Sequence, residues 1–550
     1  MNRNRYVLGI IALVLVLSGC TTVSPEQASS SHVPLFEGLG DFHYPITTNS
    51  SQAQNYFDQG MVLAYAFNHA EAHRSFVEAA RLDPNCSMCY WGQALVLGPN
   101  INAPMADAAI PIAYEAISHA KQHAKSASTK EQALINALGH RYASDAQADR
   151  GALDQSYAAA MREVQAAYPH DSTVASLFAE SLMDLHPWNF WDKTGKPHDW
   201  TPEILNVLEN TLRLDPNHPL ANHLYIHAVE ASPEPERGVP SADRLRTLVP
   251  GAGHLVHMPG HIYIRVGRYR DAIQANQHAT KADAGYLSHS HTEGLYPLAY
   301  VPHNHHFLWA AATKLGMKKV SLESAMDTAH HVDQTMLTNP GIGATLQHFS
   351  IIPLYTKALF GEWQSIFREP APEFLYPKGV WHYARGLAYL RKGNMEYAQQ
   401  ELAALQRIAN DPAIADLTIL GLNSVSLLLQ IGTEILAGEL AVAQQHTDKA
   451  VAHLQHAIAL EDGLTYTEPK DWYLPPRQVL GAVLLEAGRA KEAEQVYRQD
   501  LEYHPQSGWS LFGLKESLKA QGQTQEMQLV EAQFQKAWAD ADVTLTSSRF

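Results

Sequence analysis

Cysteine is scarce in this sequence, with three in 550 residues. One, Cys20, stands near the N-terminus, and the other two, Cys86 and Cys89, are spaced C-x-x-C. Tyr90 follows the pair where covalent c-type haem attachment needs His, so that cofactor is excluded. Charge is also scarce. Asp, Glu, Lys and Arg make up 17% of the chain, and 40 basic against 56 acidic residues give a formal −16. No basic block interrupts that balance, which excludes a nucleic-acid partner, because holding a phosphate backbone takes clustered Lys and Arg. With 46% hydrophobic residues the chain folds rather than staying disordered. Phosphate-cradling glycine loops, serine elbows and kinase motifs are missing, so no nucleotide is expected. Gly260, in HMPGH, serves helix packing. Strand-like alternation is missing after residue 50, where Ala and Leu recur at helical spacing. Beyond the N-terminal leader no stretch reads as long and apolar enough to cross a membrane.

The leader itself reads as an export signal. Arg3 and Arg5 precede an apolar run from Val7 to Leu17, too short to span a bilayer comfortably. It ends in Leu-Ser-Gly-Cys, which resembles the bacterial lipoprotein box. That resemblance implies cleavage before Cys20, lipidation of its thiol and a membrane partner through the lipid. Thr21 follows instead of the Asp associated with inner-membrane retention, which favours the outer membrane, facing the periplasm. An ordinary secretory signal with a chance cysteine is the alternative. Residues 1–20 are thus a signal peptide, and 21–51, rich in Ser, Thr and Pro, a flexible tether.

A chain of this length is either several domains or an elongated array. Its repeats decide for the array. Gly60, Ala72, Phe76, Ala79 and Pro84 fit the tetratricopeptide pattern, as do Gly260, Tyr263, Gly267, Ala272 and Ala279. Gly386, Tyr389, Gly393 and Ala398 make another unit, and Leu480, Gly481, Gly488, Ala493 and Pro505 a further one. The expected fold is all-α, a tetratricopeptide-like α-solenoid with irregular loop insertions at 98–105, 185–203 and 285–302. Three segments follow: 52–170 with the C-x-x-C pair, a histidine-rich 171–345, and 346–550. Over nearly its whole length the chain also resembles a family of bacterial tetratricopeptide lipoproteins. The matching stretches are Phe67 to Met105, His254 to Tyr269 and Gly508 to Phe550. The resemblance implies a fold and a location, and no reaction.

Histidine is what the sequence has in excess: 30 residues, 14 of them between His186 and His306. His223 and His227 are displaced by 34 residues, one repeat, from His257 and His261. Numbered within each unit, His223, His227 and Glu230 take positions 5, 9 and 12, and His254, His257, His261 and Arg265 take 2, 5, 9 and 13. A further unit starting at Pro302 puts His303 and His306 at 2 and 5. In resembling proteins these positions line the concave groove. Residues four apart share a helix face, so such pairs, with Glu230, can converge on one ion. Imidazole suits zinc, iron or copper. His223, His227, Glu230, His257, His261, His303 and His306 are therefore candidate metal ligands. Glu230 is a ligand or a general base, and His254, Arg265, Trp188 and Trp191 are candidate ligand-binding residues. Without a metal the same residues form a polar groove. Glu does not directly follow His223, so the zincin pattern is absent.

Trp188, Phe190, Trp191 and Trp200 form either an aromatic lid or core filling. Cys86 and Cys89 form a disulfide, a metal half-site with Met88 or His69, or an exchanging thiol pair. Three functions stand open: a lipid-anchored module binding a metal, ligand, peptide or protein in its groove; a metal-dependent enzyme; and a structural scaffold.

Overall fold

The computed structural model describes residues 33–289 and 294–550. The leader, Cys20 and the start of the tether lie outside the described residues. From Ser51–Tyr65 to Thr524–Ala537 helix follows helix, each packed mainly on its neighbours in sequence. Among the described residues the only strands are Thr418–Ile419 and Asn423–Ser424, a short antiparallel pair. The fold is an all-α solenoid of the tetratricopeptide type.

Glycine and aromatic residues at fixed spacing set the packing between helices. A Cβ on Gly60 would stand 2.6 Å from the Phe76 ring, and Gly92 abuts the other side of that ring. Gly481 and Gly513 abut Tyr497 in the same way near the C-terminus. Glycine thus lets two helices close on one buried ring at both ends of the array. The turns inside the repeats obey a second rule. Gly267, Gly316, Gly361, Gly393, Gly488 and Gly522 all have φ between +65° and +77° there. Phe67 stands at the equivalent turn with φ +55°, a conformation that disfavours a side chain.

Two expectations need correction. Residues 33–50 were assigned to a flexible tether, yet they lie along the first helix and join it to a later repeat. The Tyr56 hydroxyl donates to the Val33 carbonyl, the Phe36 amide to Gln59 Oε1, and the Gly251 amide to the Gly38 carbonyl at 2.7 Å. Apolar side chains in this stretch, Val33 and Tyr44, are buried, which holds it down. Second, helix Val425–Ala443 is long and apolar enough to cross a membrane, and about two thirds of it is buried within the fold. Its apolarity comes from facing helices on several sides.

Candidate metal centre

Helices Pro219–Glu230, Gly253–His257, Pro259–Arg265 and Val301–Lys314 bring six imidazoles together. They belong to His223, His227, His254, His257, His261 and His303. Neighbouring ring centroids lie 4.8–5.5 Å apart: 223 to 227 at 4.9 Å, 223 to 254 at 5.0 Å, 254 to 257 at 5.5 Å, 227 to 261 at 5.4 Å, 257 to 303 at 4.8 Å. Five of the rings are at most 3% exposed, and His303 is half-buried. They therefore sit inside the solenoid, not along an open concave groove.

Hydrogen bonds fix which nitrogen of each ring faces inward. His223 Nδ1 donates to the Tyr65 carbonyl at 2.6 Å. His227 Nδ1 and His261 Nδ1 donate to the two oxygens of Glu230 at 2.7 and 2.6 Å. His257 Nδ1 donates to Asn276 Oδ1 at 2.7 Å, while the amide nitrogen of Asn276 is spent on the Ala272 carbonyl. With Nδ1 carrying the proton, Nε2 is left as a bare lone pair. The Nε2 atoms of His223 and His227 are buried without a partner, as are both ring nitrogens of His254. His257 Nε2 and His261 Nε2 face each other at 3.0 Å. Two lone pairs at that distance repel unless a cation or a proton lies between them. Burial, with the neighbouring imidazoles adding to it, holds His223, His254 and His303 well below the usual histidine range. His257 is held there too, against its bond to Asn276, and burial lowers His227 despite Glu230. Burial thus favours the neutral form of these five rings, the form that binds a metal.

Glu230 takes a part beyond the one its spacing suggested. Burial works against its charge, yet His261 and His227 outweigh it and hold the carboxyl ionised. Tyr466, from a distant loop, also donates to it at 3.2 Å. Each oxygen accepts at least one hydrogen bond, so Glu230 orients two imidazoles, and a carboxylate with lone pairs to spare also remains a candidate ligand. This is the carboxylate–histidine support found behind metal ligands.

His306 does not join the cluster. It lies 5.1 Å from Trp309 and 5.6 Å from His348, on the side facing helix Gly343–Leu359. The turn glycines Gly267 and Gly316 lie 49 residues apart, and the same displacement relates His254 to His303 and His257 to His306. The register read from the sequence therefore holds, and His303 meets His257 as His254 meets His223. The Phe307 ring packs 4.4 Å from His261. His254 belongs to the nitrogen cluster itself. Arg265 lies beside it, donating to the Glu230 and Ser232 carbonyls, its guanidinium 5.3 Å from the centre of the Tyr466 ring.

The irregular stretches meet around the site. The Trp188 ring lies edge-on to His227 at 5.1 Å, and its Nε1 donates to Asn102. Asn102 in turn donates to the Tyr300 hydroxyl at 2.9 Å, and the Tyr300 ring lies 4.6 Å from His254. Residues 185–203 and 285–302 thus each send a ring to the cluster, and Asn102 from 98–105 ties the two rings together. Trp191 faces the back of helix Pro219–Glu230, donating to the Ala228 carbonyl, and touches no imidazole of the cluster. Phe190 is core, and Trp200 stacks on His186 and His198. Cys86 and Cys89 are bonded to each other and fully buried at the start of helix Ser87–Leu97.

Three supports escaped the sequence reading. Phe67 packs on His223, His227 and His254, so the strained turn delivers a ring to the cluster. The signal was a phenylalanine at a turn where six other units carry glycine. Asn276 falls where Phe76 and Tyr497 stand in their repeats, sixteen residues after the packing glycine, here Gly260. The signal was an amide in an aromatic position. Nothing in the local pattern announces Tyr466.

No family model matches this chain. No curated protein matches it either. Among solved structures it is similar to the human IFIT1 dimer with m7Gppp-AAAA, at 14% identity and a TM-score of 0.32, covering 90% of this chain and 92% of that one. It is also similar to the APC/C hetero-tetramer Cut9-Hcn1, at 12% identity and 0.31, covering 88% and 76%. Yeast Tom70 follows at 10% and 0.29, covering 87% and 90%. Likenesses this distant carry no argument about what the chain binds.

Proposed function

We propose that this protein is a tetratricopeptide-type scaffold that binds a transition metal, zinc, iron or copper, through the imidazoles buried in its central repeats. One observation carries the reading. Four of the rings are anchored through Nδ1, and the bare nitrogens this leaves converge in a space sealed from water. Orphaned buried acceptors cost about 1–3 kcal/mol each, and a metal ion removes that penalty. The leader supports a location at the outer membrane facing the periplasm, anchored through Cys20. A peptide or protein partner held by the repeats is compatible with this reading.

Enzymatic use of the metal is the second reading. His303 is half-buried, as are Arg265, Tyr466 and Glu468, so these are the residues through which an outside molecule could reach the cluster. Elemental analysis of the full chain, purified in detergent without a His tag, tests the main reading. Near-stoichiometric metal that disappears in the His223→Ala/His257→Ala double variant is the expected result. A chain that binds none of the three metals after reconstitution overturns it.

A further inference from the structure

The six imidazoles divide into two groups of three. The ligand atoms of His223, His227 and His254 lie within 4.8 Å of one another, and so do those of His257, His261 and His303. A third grouping, His227, Glu230 and His261, satisfies the same distance. Its closeness is already explained by two N–H donors on one carboxylate, which spends the Nδ1 protons of both rings there and turns their Nε2 atoms elsewhere. Each of the other groups offers bare nitrogens. The first holds the unpartnered Nε2 atoms of His223 and His227 and an unpartnered His254, 1% exposed. The second holds the facing Nε2 atoms of His257 and His261, with His303 4.8 Å from the former ring. One ion with tetrahedral reach, about 2.0–2.1 Å from each nitrogen, takes four imidazoles at most and leaves the others orphaned.

We propose that the cluster is a two-copper centre, one ion held by His223, His227 and His254 and the other by His257, His261 and His303. This rests on the metal-binding reading above and adds the number, the partition and the metal. Charge selects the metal. All six donors are imidazoles, which bring no charge of their own as ligands, and among the described residues Glu230, with no exposed surface, is the carboxylate hydrogen-bonded to them. Arg265 beside them adds a positive charge. Two divalent ions would bring four charges into this interior, whereas two copper(I) ions bring two, and burying uncompensated charge is what such a site must avoid. Glu230 bridges the two groups through His227 and His261, so it holds the relative placement of both ions.

The test is anaerobic loading of the metal-free full chain in detergent with copper(I), buffered by a competing chelator, followed by elemental analysis. Zinc(II) loading is run in parallel. Two copper per chain is expected for the wild type, one for His254→Gln, one for His303→Gln and none for the two combined. X-ray absorption of the copper-loaded wild type should show three nitrogen neighbours per copper, a readout that needs no variant to fold. One copper in the wild type overturns the pair while leaving the metal-binding function intact. Two zinc ions that copper(I) does not displace overturn the choice of metal. No binding of either metal overturns this proposal together with the function on which it rests.

Discussion

Replacing Glu230 by Gln changes one atom in the interior and has a calculable consequence. The carboxylate accepts from His227 Nδ1 at 2.7 Å and His261 Nδ1 at 2.6 Å. An amide can accept only one of these protons, because its other end is itself a donor. The imidazole facing that end must turn its Nδ1 into an acceptor, which moves its proton to Nε2, the ligand atom. One bound ion then loses a ligand. Loss of such support lowers metal affinity about 10- to 100-fold, or roughly 1.4–2.7 kcal/mol. Stability of the metal-free fold should change far less, since removing a buried charge offsets the hydrogen bond lost with it. Competition titration gives the affinity and urea unfolding of the metal-free protein gives the stability. Wild-type affinity in Glu230→Gln would refute the assignment of Glu230 as the group that sets the tautomers.

Phe67→Gly should relieve the strained turn, worth about 1–3 kcal/mol, and lose the ring's packing, worth about 3–5 kcal/mol. A net loss near 2 kcal/mol in thermal or urea unfolding is expected, and a gain in stability would show that the ring does not pack on the histidines. His218 caps helix Pro219–Glu230, its Nδ1 accepting the Ala221 amide, and burial pushes it down to about 4. Its folded value lies below the unfolded 6.5, so its contribution is present above pH 6.5 and is lost as pH falls toward 4. Wild type should therefore lose about 2 kcal/mol more than His218→Gln between pH 7 and pH 5; parallel urea curves would contradict this. A Cβ on Gly253 would overlap the Asp283 carboxyl, which Tyr296 and Asn304 hold in place. Gly253→Ala should cost about 1–3 kcal/mol and disturb the helix carrying His254 and His257. An unchanged melting temperature would mean that Asp283 moves aside freely.

The array was legible because its signals are local. Gly481 and Tyr497, or Gly60 and Phe76, stand at fixed spacing, and the contact they make is the one the spacing implies. The pairing of His223 with His257 and of His227 with His261 was legible for the same reason. His306 was misplaced although its register holds, because repeat position alone does not say that its ring turns toward Trp309 and His348. The part played by Glu230 was hidden in another way. Spacing says which side chains meet, but which nitrogen carries a proton depends on partners such as Tyr65, Asn276 and Tyr466. Tyr65 and Tyr466 come from other parts of the array, one from far down the chain, and Asn276 from an aromatic position in the same unit. The burial of the cluster was hidden too, since three loops with no periodicity of their own supply its walls.

Solenoids ordinarily touch only their neighbours, and each unit can form as soon as the one before it exists. The histidine cluster breaks that independence. His223 is anchored by a carbonyl 158 residues earlier, and Glu230 by a hydroxyl 236 residues later. As the chain is made from its N-terminus, the histidine repeats emerge long before Tyr466, and until it docks Glu230 lacks its third partner. If the cluster holds metal as proposed, its capture is therefore a late event in the life of the molecule. A chain cut short between residues 303 and 466 should carry the histidines and still be a poor trap for metal, which would make a bound ion a report that synthesis and folding have both finished.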